Sequence, residues 1–322
     1  MARKSLPGIK VGCTWTSYMA SVHGVLSAAG LWEGPMHQLM GSTGMAFHFI
    51  VHQELCPSSV TVYDWPAEHF TMMDRIGIHS EVFLAVNDAR LNTFKSVQET
   101  AVRRIKASID RGVGVVIWAP TPLLEFGIVR GYDDGDGVLL VEECCGRPCD
   151  PLLYTNLGRS EVPVLFYQVF LERVPVDPEK VYRDALEYAV GEWNKEHHHR
   201  TGAGLYASGR KAYQYLARAL EKGDFNSFGL SYLLAVYADA KAMVAGFLDD
   251  LCRESREITG LEVPAALYRE VSAGLKRMTG LVPFPQGEAV SPATAAEVLE
   301  VARKCGQIED QAMEAVARAL EE

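Results

Sequence analysis

Hydrophobic periodicity changes character once along this chain, and that change constrains the fold more than any single motif. Up to about residue 174, apolar residues alternate between helical spacing and short extended runs; beyond Val174-Pro-Val-Asp-Pro178 only helical spacing remains. From Glu179 onward, helical segments are expected at roughly 179–196, 205–222, 226–257, 264–279 and 292–320, most of them punctuated by Gly or Pro. The longest sets Leu230, Leu233, Leu234, Tyr237, Val244, Phe247, Leu248 and Leu251 along one stripe, the pattern of a bundle helix. With 322 residues, the chain has room for two cores, since single domains usually hold ~100–200 residues. The expected fold is α+β, with a mixed domain over 1–175 followed by an all-α helical bundle over 176–322.

Within the first half, Trp15, Met19, Val22, Leu26 and Ala29 recur at steps of four and three, which predicts a helix from Cys13 to Ala29 ended by Gly30. A small-residue loop is expected at Gly41-Ser42-Thr43-Gly44, and strands at Ser59–Tyr63 and His79–Val86. Ser96-Val-Gln-Glu99 has the spacing of a capping box and opens a predicted helix to Asp110. Three strands follow at Val113–Trp118, Phe126–Tyr132 and Val138–Val141, the last two joined by the hairpin turn Asp133-Asp-Gly-Asp-Gly137. Pro163–Val174 is the final predicted strand.

Charge and composition exclude several classes of function. Hydrophobic residues make up 48% and charged residues 22% of the chain, an ordinary globular balance. The net charge of −10 leaves no basic footprint for nucleic acid. No run approaches ~18 uninterrupted apolar residues, and Met1 to Gly8 lacks the apolar core of a leader. The expected location is cytoplasmic, with no membrane and no nucleic-acid partner; a homodimer is left open. Seven cysteines without an export signal imply mostly reduced thiols. Cys144, Cys145 and Cys149 crowd together, but a closed zinc site needs four ligands and no second pair accompanies them. Neither a metal nor another cofactor is expected. His48 and His52 have helix-face spacing without the glutamate of a metalloprotease motif, so His48 is read as lining a pocket. The His197-His-His199 tract reads as a solvated helix end.

Cys13 is the residue most suggestive of chemistry. At the first turn of a helix, unpaired N–H groups and the positive end of the dipole favour a thiolate, the nucleophilic form. A buried small apolar side chain at a helix start is the alternative. The order of elements bears on the choice. An early Cys-bearing helix, Trp15 two residues on, the glycine-containing segment Gly41 to Phe49, and a later hairpin reading Leu124-Glu-Phe-Gly-Ile-Val-Arg-Gly-Tyr-Asp-Asp134 together resemble papain-like cysteine enzymes of the bacterial peptidase and amide-transfer type. Within that superfamily the organisation is most similar to the relatives of butirosin biosynthesis protein H, which carry a helical second domain.

That resemblance implies a papain-like amino-terminal domain with an antiparallel sheet, a cysteine nucleophile, and acyl transfer or amide hydrolysis on a small metabolite. It makes Cys13 the nucleophile and places Glu125 where the family has its histidine, with Glu142 or Glu143 at the acid position. Pro7 stands where papain has its oxyanion-hole glutamine. The expected ligand-binding residues are Trp15, Ser42, Thr43, His48 and Trp118, facing a small-molecule ligand or acyl donor. An ionised glutamate raises a neighbouring thiol's pKa where an imidazolium lowers it, so conventional proteolysis is not expected. The competing expectation keeps the fold and drops the catalysis, leaving an inactive papain-like protein that binds a small ligand. A further alternative makes the helical half an interaction module for a partner protein, with the first half as its scaffold.

Overall fold

The computed structural model describes residues 2–87, 92–144, 146–195 and 204–321. Cys145 and the His197–His199 tract lie outside these residues. In chain order the elements are β1 (Arg3–Ser5), α1 (Ser17–Ala28), α2 (Met36–Ser42), β2 (Ile50–His52), α3 (Trp65–Arg75), β3 (Ile78–Val86), α4 (Phe94–Asp110), β4 (Val115–Trp118), β5 (Phe126–Asp133), β6 (Val138–Glu143), β7 (Leu152–Leu153) and β8 (Val164–Arg173). The helical remainder is α5 (Pro178–Asn194), α6 (Gly209–Lys222), α7 (Ser227–Glu254), α8 (Glu262–Leu281) and α9 (Pro292–Glu321), with β9 (Tyr206–Ser208) ahead of α6. The chain is mixed α+β and divides into two compact units, one of residues 1–36 and 65–175, the other of 37–64 and 176–322. It therefore passes from one unit to the other after Met36, Asp64 and Pro175.

The first unit is built on a seven-stranded sheet in the order β3-β8-β4-β5-β6-β7, with β1 added beside β5. Every pairing in it is antiparallel. Alternation along the strands divides the apolar residues between two faces. On one face Val115, Ile117, Val129, Val141 and Leu165 pack with Ala101, Ile105 and Ile109 of α4. The opposite face is covered by α1 and α3, which contact β4, β5 and β3. Close approach there depends on Gly24, since a Cβ at that position would lie 2.0 Å from the Lys10 carbonyl oxygen.

In the second unit α7 is the central element, packed against α8 and the 45–47 and 57–61 turns. Its start is fixed by Asn226, whose side chain accepts from the Gly229 amide at 2.7 Å, as Asp177 does for α5. Gly229 is required because a Cβ would meet the Leu55 carbonyl oxygen at 1.8 Å. By length and composition α7 could cross a membrane, but 61% of its most apolar window is buried within the fold. At its middle, Lys241 and Glu309 form an ion pair of 2.7 Å with both side chains 0% exposed.

Several local expectations are corrected. The helix predicted from Cys13 begins at Ser17, with Thr16 as its N-cap. The strand predicted at Ser59–Tyr63 is a 3-10 turn over Pro57–Thr61, in which Ser59 Oγ donates to the Cys56 carbonyl and accepts from the His52 amide. Gly41 and Ser42 end a helix instead of forming a loop, and His48 and His52 occupy the end of a turn and a strand, not one helix face. The helix expected from Ser96 starts at Phe94 after an N-cap Thr93 that makes no side-chain cap.

Candidate functional site

Ser17 meets Glu125. It is the first residue of α1 and 6% exposed. Its hydroxyl donates to Glu125 Oε2 at 2.5 Å, and its Oγ accepts from the Phe126 amide at 3.2 Å. The carboxylate thereby lies at the amino end of a helix, where the unpaired N–H groups favour negative charge.

The loop that presents Glu125 joins β4 to β5. Its ends are pinched together by the Ala119 amide donating to the Glu125 carbonyl at 2.8 Å. Ala119 (φ 46°) and Leu124 (φ 54°) both occupy the left-handed region without being glycine. Each such residue costs about 1 kcal/mol or more, and strain of this kind collects where a fold must hold a side chain in one place. Thr121 in the same loop donates to Glu143 Oε2 at 3.1 Å.

Beneath the loop lies an aromatic cluster. Trp118 stands opposite Phe126 in the β4–β5 register, with ring centroids 5.0 Å apart. Trp65 from α3 reaches both, at 4.8 Å. Tyr18 stacks on His69 at 3.5 Å and donates its hydroxyl to Gln168, whose amide in turn donates to Ser80. Trp118 is 6% exposed, and its indole N–H has no hydrogen-bond acceptor among the described residues.

The other expected site residues are placed as follows. Cys13 is exposed and lies beside α1, next to Gly12, whose amide donates to the Ala20 carbonyl at 2.8 Å. Trp15 is 45% exposed in the same pre-helix segment. Glu142 pairs with Arg130 at 2.6 Å, and Arg130 also donates to Ser5. Because neighbours along a strand face opposite ways, Glu143 and not Glu142 joins the loop that carries Glu125. Ser42, Thr43 and His48 belong to the second unit. There Thr43 donates to the Leu39 carbonyl, and His48 Nε2 lies 2.5 Å from the Tyr188 hydroxyl.

Sequence reasoning missed Ser17 and Thr121, and left Glu143 open as the alternative to Glu142. Thr16-Ser17 is a pair of helix-opening residue types, but Thr14 offers the same preference and Thr16 makes no side-chain cap, so the start at Ser17 was not distinguished locally. For the cysteine cluster, burial and then the neighbouring Glu143 push the Cys149 thiol pKa up, away from the thiolate a metal would need. Among the described residues no group of three or more His, Cys, Asp or Glu side chains is placed to hold a metal ion. Neither a protein-family model nor a curated protein sequence matches the chain.

Proposed function

We propose that the chain is a papain-like protein, of the kind related to butirosin biosynthesis protein H, that binds a small cationic or amphipathic metabolite at the amino end of α1 and has lost thiol catalysis. The observation that carries this reading is the 2.5 Å bond from Ser17 to Glu125. The resemblance would pair the thiol of Cys13 with position 125, whereas Glu125 takes a bond from the hydroxyl of Ser17. A carboxylate ordinarily titrates near ~4 and is a weak base toward a serine hydroxyl, so the pair is poor at making a nucleophile. It is well suited to attracting a positive group. Aromatic rings next to it supply the apolar walls that small-ligand sites use, and the strained loop holds the carboxylate in place.

The test is a titration with n-propylamine followed by tryptophan fluorescence and calorimetry. Saturable binding is expected in the wild type and in Cys13→Ser, and its loss in Glu125→Gln. Unaltered binding in Glu125→Gln would refute the proposal.

Acyl transfer through Cys13 is the second reading, favoured by the exposure of that thiol to reagents and donors. Iodoacetamide alkylation between pH 6 and 9 separates the two. Binding without catalysis requires Cys13 to react no faster than free cysteine; faster reaction, with loss of ligand binding in Cys13→Ser, would establish the transfer reading in its place.

A further inference from the structure

The orphaned indole of Trp118 narrows the ligand class for this site, an inference that rests on the binding reading above. A buried N–H left without an acceptor forfeits its hydration with nothing in return, and such groups in native folds call for a partner that the chain itself does not provide. Near Trp118, Ser17 donates to Glu125 and accepts from the Phe126 amide, while Tyr18 donates to Gln168, which donates to Ser80. The rings packed on Trp118, those of Trp65 and Phe126, offer only π faces, and N–H···π contacts replace little of a lost hydrogen bond.

Trp118 and Glu125 are also locked together by the backbone. Trp118 is paired with Phe126, the residue after Glu125, and Ala119, the residue after Trp118, donates to the Glu125 carbonyl. A buried donor and a carboxylate thus bracket one strand end, against the ring walls of Trp65 and Phe126.

We propose that the ligand is a small amine that also carries an uncharged oxygen acceptor, the chemistry of an amino alcohol. Its ammonium group pairs with Glu125, and its oxygen accepts from Trp118 Nε1–H. The aromatic rings contribute cation–π attraction to any amine, with or without the oxygen. The oxygen is what distinguishes the expected ligand from a plain alkylamine.

The experiment compares 2-aminoethanol and 3-amino-1-propanol with their isosteres n-propylamine and n-butylamine, on the full chain. Affinity is read by calorimetry, and the Trp118 indole N–H resonance, assigned by its loss in Trp118→Phe, is followed by NMR. The wild type is expected to prefer the better-fitting amino alcohol over its isostere by about three- to tenfold, the range of one neutral hydrogen bond. The Trp118 resonance should move downfield with the amino alcohol and not with the alkylamine. Trp118→Phe should erase the preference. Equal affinity for both members of each pair, or an indole resonance that does not distinguish them, would overturn the inference while leaving the binding reading intact. Failure of every amine to bind would overturn both. If Trp118→Phe does not fold, the resonance is assigned from triple-resonance spectra of the wild type, and its shift decides the matter.

Discussion

Glu125 in the sheet-bearing unit and Glu309 in the helical unit are both held by hydroxyl donors, yet the two surroundings do opposite things with a carboxylate. Glu309 is 0% exposed: Lys241 reaches Oε1 at 2.7 Å, Tyr213 donates to Oε2 at 2.8 Å and Tyr268 to Oε1 at 3.1 Å. Every member comes from a different helix, so the network joins α6, α7, α8 and α9 at one point. Glu125 is half-buried, sits on a loop with two left-handed non-glycine residues, and takes its described hydrogen bond from an uncharged serine. A charge whose partners are supplied by the core fixes structure; under the proposed reading, a half-buried carboxylate held at a strained strand end serves a ligand. On the proposed reading, the comparison teaches that burial, more than residue type, separates an architectural glutamate from a binding one.

The most severe way to break this contrast is to remove one half of the buried pair. Glu309→Gln or Lys241→Met should each cost about 3–5 kcal/mol, because each leaves an uncompensated buried charge. The double variant Lys241→Met with Glu309→Leu should recover most of that loss, as measured by urea unfolding of the full chain. Single costs below about 1 kcal/mol would show that the network is not closed.

Raising the pH tests the same network from another side. Burial, reinforced by Glu309, pushes the Tyr213 and Tyr268 hydroxyls well up and the Cys305 thiol to about 12. For these groups the protonated form is neutral and the folded pKa is the higher one. The unfolded chain therefore releases its protons first, and the stabilisation is intact below the unfolded values near ~9–10 and is lost as pH climbs above them. Urea midpoints for the helical unit should fall steadily between pH 9 and 11. A flat profile would contradict the burial of these groups.

A gain-of-function substitution sharpens the other half of the comparison. Ser17→Cys combined with Glu125→His places a thiol and an imidazole where hydroxyl and carboxylate now meet. Position 17 in this variant should alkylate at pH 7 at least about tenfold faster than a free cysteine, through thiolate formation, with Cys13→Ser as background. The smallest effect is expected at the loop: Ala119→Gly should stabilise the chain by about 0.5 kcal/mol, relief of left-handed strain being partly offset by glycine's entropy. A destabilising result in thermal unfolding would mean that the Ala119 methyl contributes more packing than strain.

How far the sequence could be read depended on the length of each signal. The helices α5 to α9 fall close to the periodic segments because each repeats its apolar stripe over several turns, and residues such as Asp177 and Asn226 mark the starts. The Asp133–Gly137 turn was equally plain. The three-residue strands β1, β2 and β9 are too short to show any period. Val60, Thr61 and Val62 favour strands, but Pro57 and the side-chain bonds of Ser59 impose a turn. At the first helix, Trp15 extends the apolar stripe backward by chance, which moved the apparent start to Cys13. Glu125 was singled out by its position in the hairpin, but its contact with Ser17 spans 108 residues, and no local pattern records such a meeting. The orphaned Trp118 N–H was likewise invisible, because it is defined by what surrounds it.

The early excursion of residues 37–64 into the helical unit has a consequence for synthesis. These residues leave the ribosome long before α6 and α7, against which Gly41, Phe49 and Leu55 eventually pack. During that interval their apolar side chains have no permanent cover, the condition under which nascent chains are prone to misassociate. A shortened product ending near residue 175 would keep this segment exposed indefinitely, so its solubility would report on the stranded segment as much as on the sheet. Dividing this protein for study calls for excising two stretches and rejoining them, not for one cut.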